Sequence, residues 1–209
     1  MQNKQKGKVV RKMECAKNPG RIAVIFPGIG YHTDKPLLYY GKKLAAAYGY
    51  VIQEVPYKGF KPGIKGNAAM MREAFEHALA QTEEILAGIR WDQAEDILFL
   101  SKSIGTVVAA AYAHRHHLTS VRHIYFTPLK ETFDFPAGRD ALVFHGTADP
   151  WAQDRDIEEG CRRLGLPLVL VPGSNHSLET GDVLKDLDHL QKVMSQVGSW
   201  IGELGETEG

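Results

Sequence analysis

Ser103, Asp149 and His176 are the residues of this chain whose types and order could do chemistry together. A serine hydroxyl is a poor nucleophile near neutral pH and needs a base within hydrogen-bond reach. A histidine can take that proton and pass it to a leaving group. A carboxylate beside the imidazole fixes its tautomer and stabilises its charged form. A developing oxyanion needs N–H donors aimed at it. Such a set performs nucleophilic acyl transfer, provided that three separate loops bring the groups together.

The elements that must position them can be read from apolar patterning. Residues 97–100, Ile-Leu-Phe-Leu, form an apolar run that ends in Ser101-Lys102-Ser103-Ile104-Gly105, and a helix-compatible run follows at once. That is a buried strand, a very tight turn and a helix, with the turn serine held above the helix's amino end. The pattern is G-x-S-x-G with Ser101 in place of the first glycine. Small residues belong two places either side of the nucleophile because strand and helix pass close there. Ser101 as nucleophile would put the bulky Phe99 at one of those places, so Ser103 is the better candidate.

Asp149 follows the strand at 141–145 in the loop Gly146-Thr147-Ala148-Asp149-Pro150-Trp151. His176 follows the strand at 167–171 in Pro172-Gly173-Ser174-Asn175-His176-Ser177. Further strands are expected at 21–26, 50–55 and 121–126, with a short edge strand or extended arm within 1–20. Helices are expected at 36–48, 67–87 with Asn67 as cap, 104–117, 153–164 and 182–201. Strands alternate with helices, so the fold class is α/β: a mostly parallel sheet of about six or seven strands with helices on both faces. Sites in such sheets form at the carboxyl ends of strands. Ser103, Asp149 and His176 each stand just past one.

Phe26-Pro27-Gly28-Ile29-Gly30, Ser101 to Gly105, His145-Gly146-Thr147-Ala148-Asp149 and Gly173-Ser174-Asn175-His176 together resemble the α/β-hydrolase superfamily, in a small form similar to dienelactone-hydrolase-like enzymes. The resemblance runs from Arg21 to the last helix. Departures are Ser101 for glycine, Phe26-Pro27 where many members carry a histidine before the glycine, and a shortened amino-terminal sheet. The resemblance implies a catalytic Ser103, Asp149 and His176, with an oxyanion hole from the backbone N–H groups of Ile104 and Ile29. It implies a hydrolase acting on a small carboxylic ester or thioester. Alternatives are a peptidase or acyltransferase with the same triad, or a non-catalytic binding module of the same fold.

Other features set bounds. The chain has 209 residues, 44% hydrophobic and 24% charged, with a formal net charge of zero. One domain is expected, with residues 203–209 as a fraying tail. Nothing in the charge balance points to nucleic acid or an anionic membrane. No run is long enough to span a bilayer, and Cys15 and Cys161 form no ligand or redox motif, so a cytoplasmic protein is expected. No cofactor or metal is expected: His114, His116 and His117 read as a cationic helix end, and Gly28-Ile29-Gly30 lacks the third glycine and the lysine of a phosphate loop. Lys102 beside Ser103 is not expected to form a dyad, because neighbours in an elbow point apart. The link 127–139 is too short for a lid domain, which predicts an open site for short acyl groups. The loop 56–66 follows a strand end and carries Lys58, Lys61 and Lys65 with Tyr57 and Phe60. Gly28, Tyr31, Lys58, Phe60 and Trp151 are candidate substrate contacts. A histidine base predicts activity falling below about pH 6 to 7.

Overall fold

The computed structural model describes residues 20–61, 63–64, 67–136, 138 and 140–203. The expected arm within 1–20 lies outside them apart from Gly20, and so does the tail beyond Glu203. The described elements in chain order are β1 (Arg21–Phe26), α1 (Pro36–Ala47), β2 (Val51–Glu54), α2 (Ala68–Leu86), β3 (Asp96–Lys102), α3 (Ile104–Arg115), β4 (Arg122–Phe126), β5 (Asp140–Gly146), α4 (Asp154–Leu164), β6 (Leu168–Val171) and α5 (Val183–Gly202). Expected and observed bounds differ by a residue or two at most ends. The helix expected to reach His117 stops at Arg115, with His116 as its cap.

The strands form one six-stranded sheet in the order β2-β1-β3-β4-β5-β6, and every pairing is parallel. From β1 the chain steps outward to β2, then returns past β1 to β3 and continues in that direction. Right-handed crossovers in opposite directions put helices on opposite faces. The apolar clusters follow this division. Leu98 and Leu100 of β3 pack with Leu37 and Leu38 of α1 and with Val197 and Ile201 of α5. Ile97 and Phe99, pointing the other way, pack with Ala78 of α2 and Val108 of α3. Each fully buried large side chain, such as Phe99 or Phe126, contributes roughly 1.5–3 kcal/mol of transfer free energy.

The switch in winding direction falls between β1 and β3. Ligand sites in such sheets sit at the carboxyl ends of the strands flanking that point. The loops after β1 and β3 are those carrying Gly28–Tyr31 and Ser103. Between β4 and β5 there is a short 3-10 helix at Lys130–Asp134 and no inserted domain among the described residues.

Candidate active site

Ser103 connects β3 to α3 with φ 55° and ψ −127°, a conformation costly for any residue with a side chain. It occupies the cap position of α3, yet its hydroxyl makes no cap hydrogen bond. The strain has a packing cause. A Cβ at Gly105 would lie 2.4 Å from the Pro27 carbonyl oxygen and 2.5 Å from that of Phe26. The start of α3 therefore presses directly on the end of β1. At Ser101 no such contact demands glycine. Its side chain is fully buried and its hydroxyl donates to the Ile124 carbonyl of β4 at 3.2 Å. Gly28 closes in from the other side: a Cβ there would stand 3.1 Å from that of Ser103.

The loops after β5 and β6 deliver the partners. With Asp149 ionised, His176 Nδ1–H donates to Asp149 Oδ2 at 2.7 Å, which leaves Nε2 to accept from Ser103 Oγ at 2.8 Å. The Asp149 side chain is wholly buried, and its Oδ1 accepts from the Trp151 N–H at 2.8 Å. Burial pushes the Asp149 carboxyl up. The His176 hydrogen bond and charge, the Trp151 N–H and the charge of His145 outweigh it and hold the group below the usual carboxylate range. Burial is also the largest influence on His176. Together with the charges of Lys102 and His145 it brings the imidazole below its usual value, against the upward pull of Asp149. The acid limit of a reaction using this base therefore lies lower than the ordinary imidazole range that sequence alone suggested.

The two loops are tied together. Ala148 N–H donates to the Ser174 carbonyl at 2.9 Å, and a Cβ at Gly146 would lie 2.3 Å from that same oxygen. Thr127, just past β4 with φ 42°, donates its hydroxyl to the His176 carbonyl at 2.9 Å. Thr127 was not among the sequence candidates, although its place just past a strand end was a signal.

The remaining candidates divide. Gly28 and Tyr31 close a tight turn with paired hydrogen bonds of 3.0 and 3.2 Å. Ile29 rides on that turn, partly exposed. Neither the Ile29 nor the Ile104 N–H has an acceptor among the described hydrogen bonds. Trp151 is partly exposed, and its ring stacks on His176 with centroids 5.5 Å apart. Lys58 and Phe60 are anchored on the α2 side, and Phe60 also packs on the cluster that contains Ile104. The Lys58 backbone is held by His77 and Gln81 of α2, and Phe60 packs against Tyr57 and His77. Lys61 is paired with Glu73 at 2.5 Å, which reduces the free charge of that loop, and Lys65 lies outside the described residues. A cavity of about 380 Å³ lies between this loop and α2, lined in part by Phe60, Ile64 and Met70. His116 pairs with Glu83 rather than with the neighbouring histidines.

Two further residues beside the triad were not expected. His145 of β5 is buried, with Nε2 at 2.9 Å from Asp154 Oδ1 and Nδ1 at 3.9 Å from Asp149 Oδ2. Lys102 is buried next to the elbow, and its Nζ faces Tyr31.

Sheet order, winding and elbow together define the α/β-hydrolase fold. The chain is similar over most of its length to solved structures of that fold. Est1E from Butyrivibrio proteoclasticus, solved with ferulic acid bound, is 13% identical with a TM-score of 0.67, covering 90% of both chains. A serine hydrolase without a lid from Xanthomonas campestris is 14% identical with a TM-score of 0.61, covering 88% of this chain and 84% of the other. A serine hydrolase homologue from Coxiella burnetii is 16% identical with a TM-score of 0.60, covering 86% and 84%. No protein-family model matches the chain, and no curated protein matches it.

Proposed function

We propose that the chain is a serine hydrolase, folded as one domain, that cleaves a small carboxylic ester or thioester through an acyl-enzyme. The observation that carries this reading is the unbroken hydrogen-bond line from Ser103 through His176 to the buried Asp149, at 2.8 and 2.7 Å. Ser103 Oγ attacks the carbonyl carbon as His176 Nε2 takes its proton. The carbonyl oxygen becomes an oxyanion, held by the backbone N–H groups of Ile29 and Ile104. His176 then returns the proton to the departing alcohol or thiol, leaving an ester on Ser103. Water, deprotonated by His176, attacks that ester, and collapse of the second oxyanion frees the acid and restores Ser103.

The short link between β4 and β5 supports a site open to solvent, suited to short acyl groups. The stacked Trp151 ring offers an apolar wall beside the base. Likeness to a lidless serine hydrolase and to Est1E agrees with this reading at the level of fold. Among the described residues no helix is long and apolar enough to cross a membrane, and we place the activity in the cytoplasm.

The test is labelling with a serine-directed phosphonate, together with turnover of esters of graded chain length. One equivalent is expected at Ser103, with none on Ser103→Ala and turnover of that variant down by about 10⁴-fold or more. Turnover is expected to be highest for short acyl chains. Full turnover by Ser103→Ala would end the proposal. Activity rising steadily to long-chain lipid esters would remove the small-substrate part of it.

A further inference from the structure

Lys102 is the last residue of β3, and the residue is 1% exposed. Strand alternation puts it on the face of Leu98 and Leu100, the side covered by α1 and α5. It points away from Ser103, so the two form no dyad. Its Nζ lies 5.0 Å from the centroid of the Tyr31 ring, and it makes no hydrogen bond among those described. Burying an ammonium group without a hydrogen bond is costly. Groups kept at such cost cluster at functional sites.

Tyr31 is held at both ends. Its backbone closes the turn with Gly28, and its hydroxyl accepts from the Leu37 N–H in the first turn of α1 at 3.1 Å. The ring between these anchors faces the ammonium. The same turn carries the Ile29 N–H, which has no acceptor among the described hydrogen bonds. A desolvated cation over an aromatic face contributes more than an exposed one, so Lys102 ties the nucleophile's strand to the opposite wall of the site.

Resting on the serine-hydrolase reading, we infer that Lys102 is a positioning residue, whose ammonium over the Tyr31 ring holds the Gly28–Tyr31 turn so that Ile29 N–H meets the oxyanion. The charged groups facing it are Asp149 after β5 and Glu179 and His176 after β6. Tyr31 is the titratable group on the β1 side. Burial pushes the Lys102 ammonium down to about 7, partly opposed by Asp149 and Glu179. The cation is thus lost as pH rises through that value, and the hold on the turn is lost with it. Its charge also disfavours a proton on His176.

The experiment compares wild type with Lys102→Met, which keeps length and apolar stem without charge. An oxyanion contact acts mainly in the transition state. The expected result is kcat lowered by about 10- to 100-fold with KM nearly unchanged, and phosphonate labelling slowed alongside. The alkaline decline near pH 7 to 8 disappears, and the acid inflection moves up. Thermal stability does not fall, because the desolvation cost of a buried charge is removed together with its contact to the ring. A merely structural role predicts the reverse: lower stability and an unchanged pH profile. Tyr31→Leu supplies an independent route, with a loss matching Lys102→Met and no further loss in the double variant. Lys102→Met or Tyr31→Leu with wild-type kcat and pH profile overturns the inference alone. A wild-type chain that no phosphonate labels overturns the serine-hydrolase reading, and the inference with it.

Discussion

His176 does its proposed work from a half-buried position between a carboxylate, an indole and a nearby ammonium. Its depressed basicity comes first from burial. A histidine that resists protonation stays a free base to lower pH, so the acid inflection of kcat/KM is expected below the usual imidazole value of about 6.5. Trp151 contributes by stacking on the ring and covering one of its faces. Trp151→Ala should therefore move the inflection upward, towards the ordinary value, and lower kcat/KM about 10- to 100-fold through looser aim of the imidazole. A pH–rate profile of the two proteins decides this. An inflection unmoved by the substitution would mean that Trp151 does not set the environment of the base.

Between elements, the decisive contact is that of α3 against the end of β1. Gly105 meets two backbone carbonyl oxygens within 2.5 Å of where a Cβ would be, and neither can move without dragging the sheet. Gly105→Ala is expected to cost roughly 2–4 kcal/mol by denaturant titration and to abolish labelling. Ser101→Ala removes one buried hydroxyl donor to Ile124. It should cost only about 1 kcal/mol and leave labelling at Ser103 intact. Equal losses from the two substitutions would contradict this account of the elbow. Sequence pattern alone treated positions 101 and 105 as equivalent sites for a small residue. Only the neighbour differs, and that neighbour comes from β1, far away in the chain.

At the scale of the whole molecule, buried titratable groups shape stability with pH. His123 in β4 is fully buried, stacked on Tyr125, with no hydrogen-bond partner for either nitrogen among the described residues. Burial pushes it down to about 3. Its stability contribution is complete above the unfolded value near 6.5 and is lost as pH falls towards 3, on the order of 5 kcal/mol in full. Lys102 is depressed as well, to about 7. Between that value and about 10.5 the unfolded chain binds the extra proton, so stability rises with pH across this interval. Burial raises Tyr31 and Tyr50 to about 12. The unfolded chain ionises them first, so stability falls above about pH 10. Unfolding free energy is thus expected to peak between about pH 8 and 10, on the alkaline side of the usual range. Denaturant midpoints measured from pH 4 to 11 check this. His123→Phe should flatten the acid arm and Lys102→Met the rise above pH 7; a maximum near pH 6 in wild type would refute the assignment.

Local patterning was enough to place the strands, the elbow and the loops bearing Ser103, Asp149 and His176, because apolar periodicity and tight-turn chemistry are properties of neighbouring residues. The order of these loops along the chain was equally legible. Which strands stand side by side was not, and that decides where the site lies: β1 sits next to β3 although α1, β2 and α2 separate them in sequence. The same holds for single side chains. Lys102 reads as an elbow residue of no consequence until Tyr31 is seen over its ammonium. What holds Lys58 and Phe60 is equally hidden in sequence: α2 fixes the Lys58 backbone, and Phe60 packs on His77 and on the cluster containing Ile104. The depressed basicity of His176 likewise depends on what buries it. Burial, cation–aromatic contact and charge coupling act through space, between residues that the chain keeps far apart.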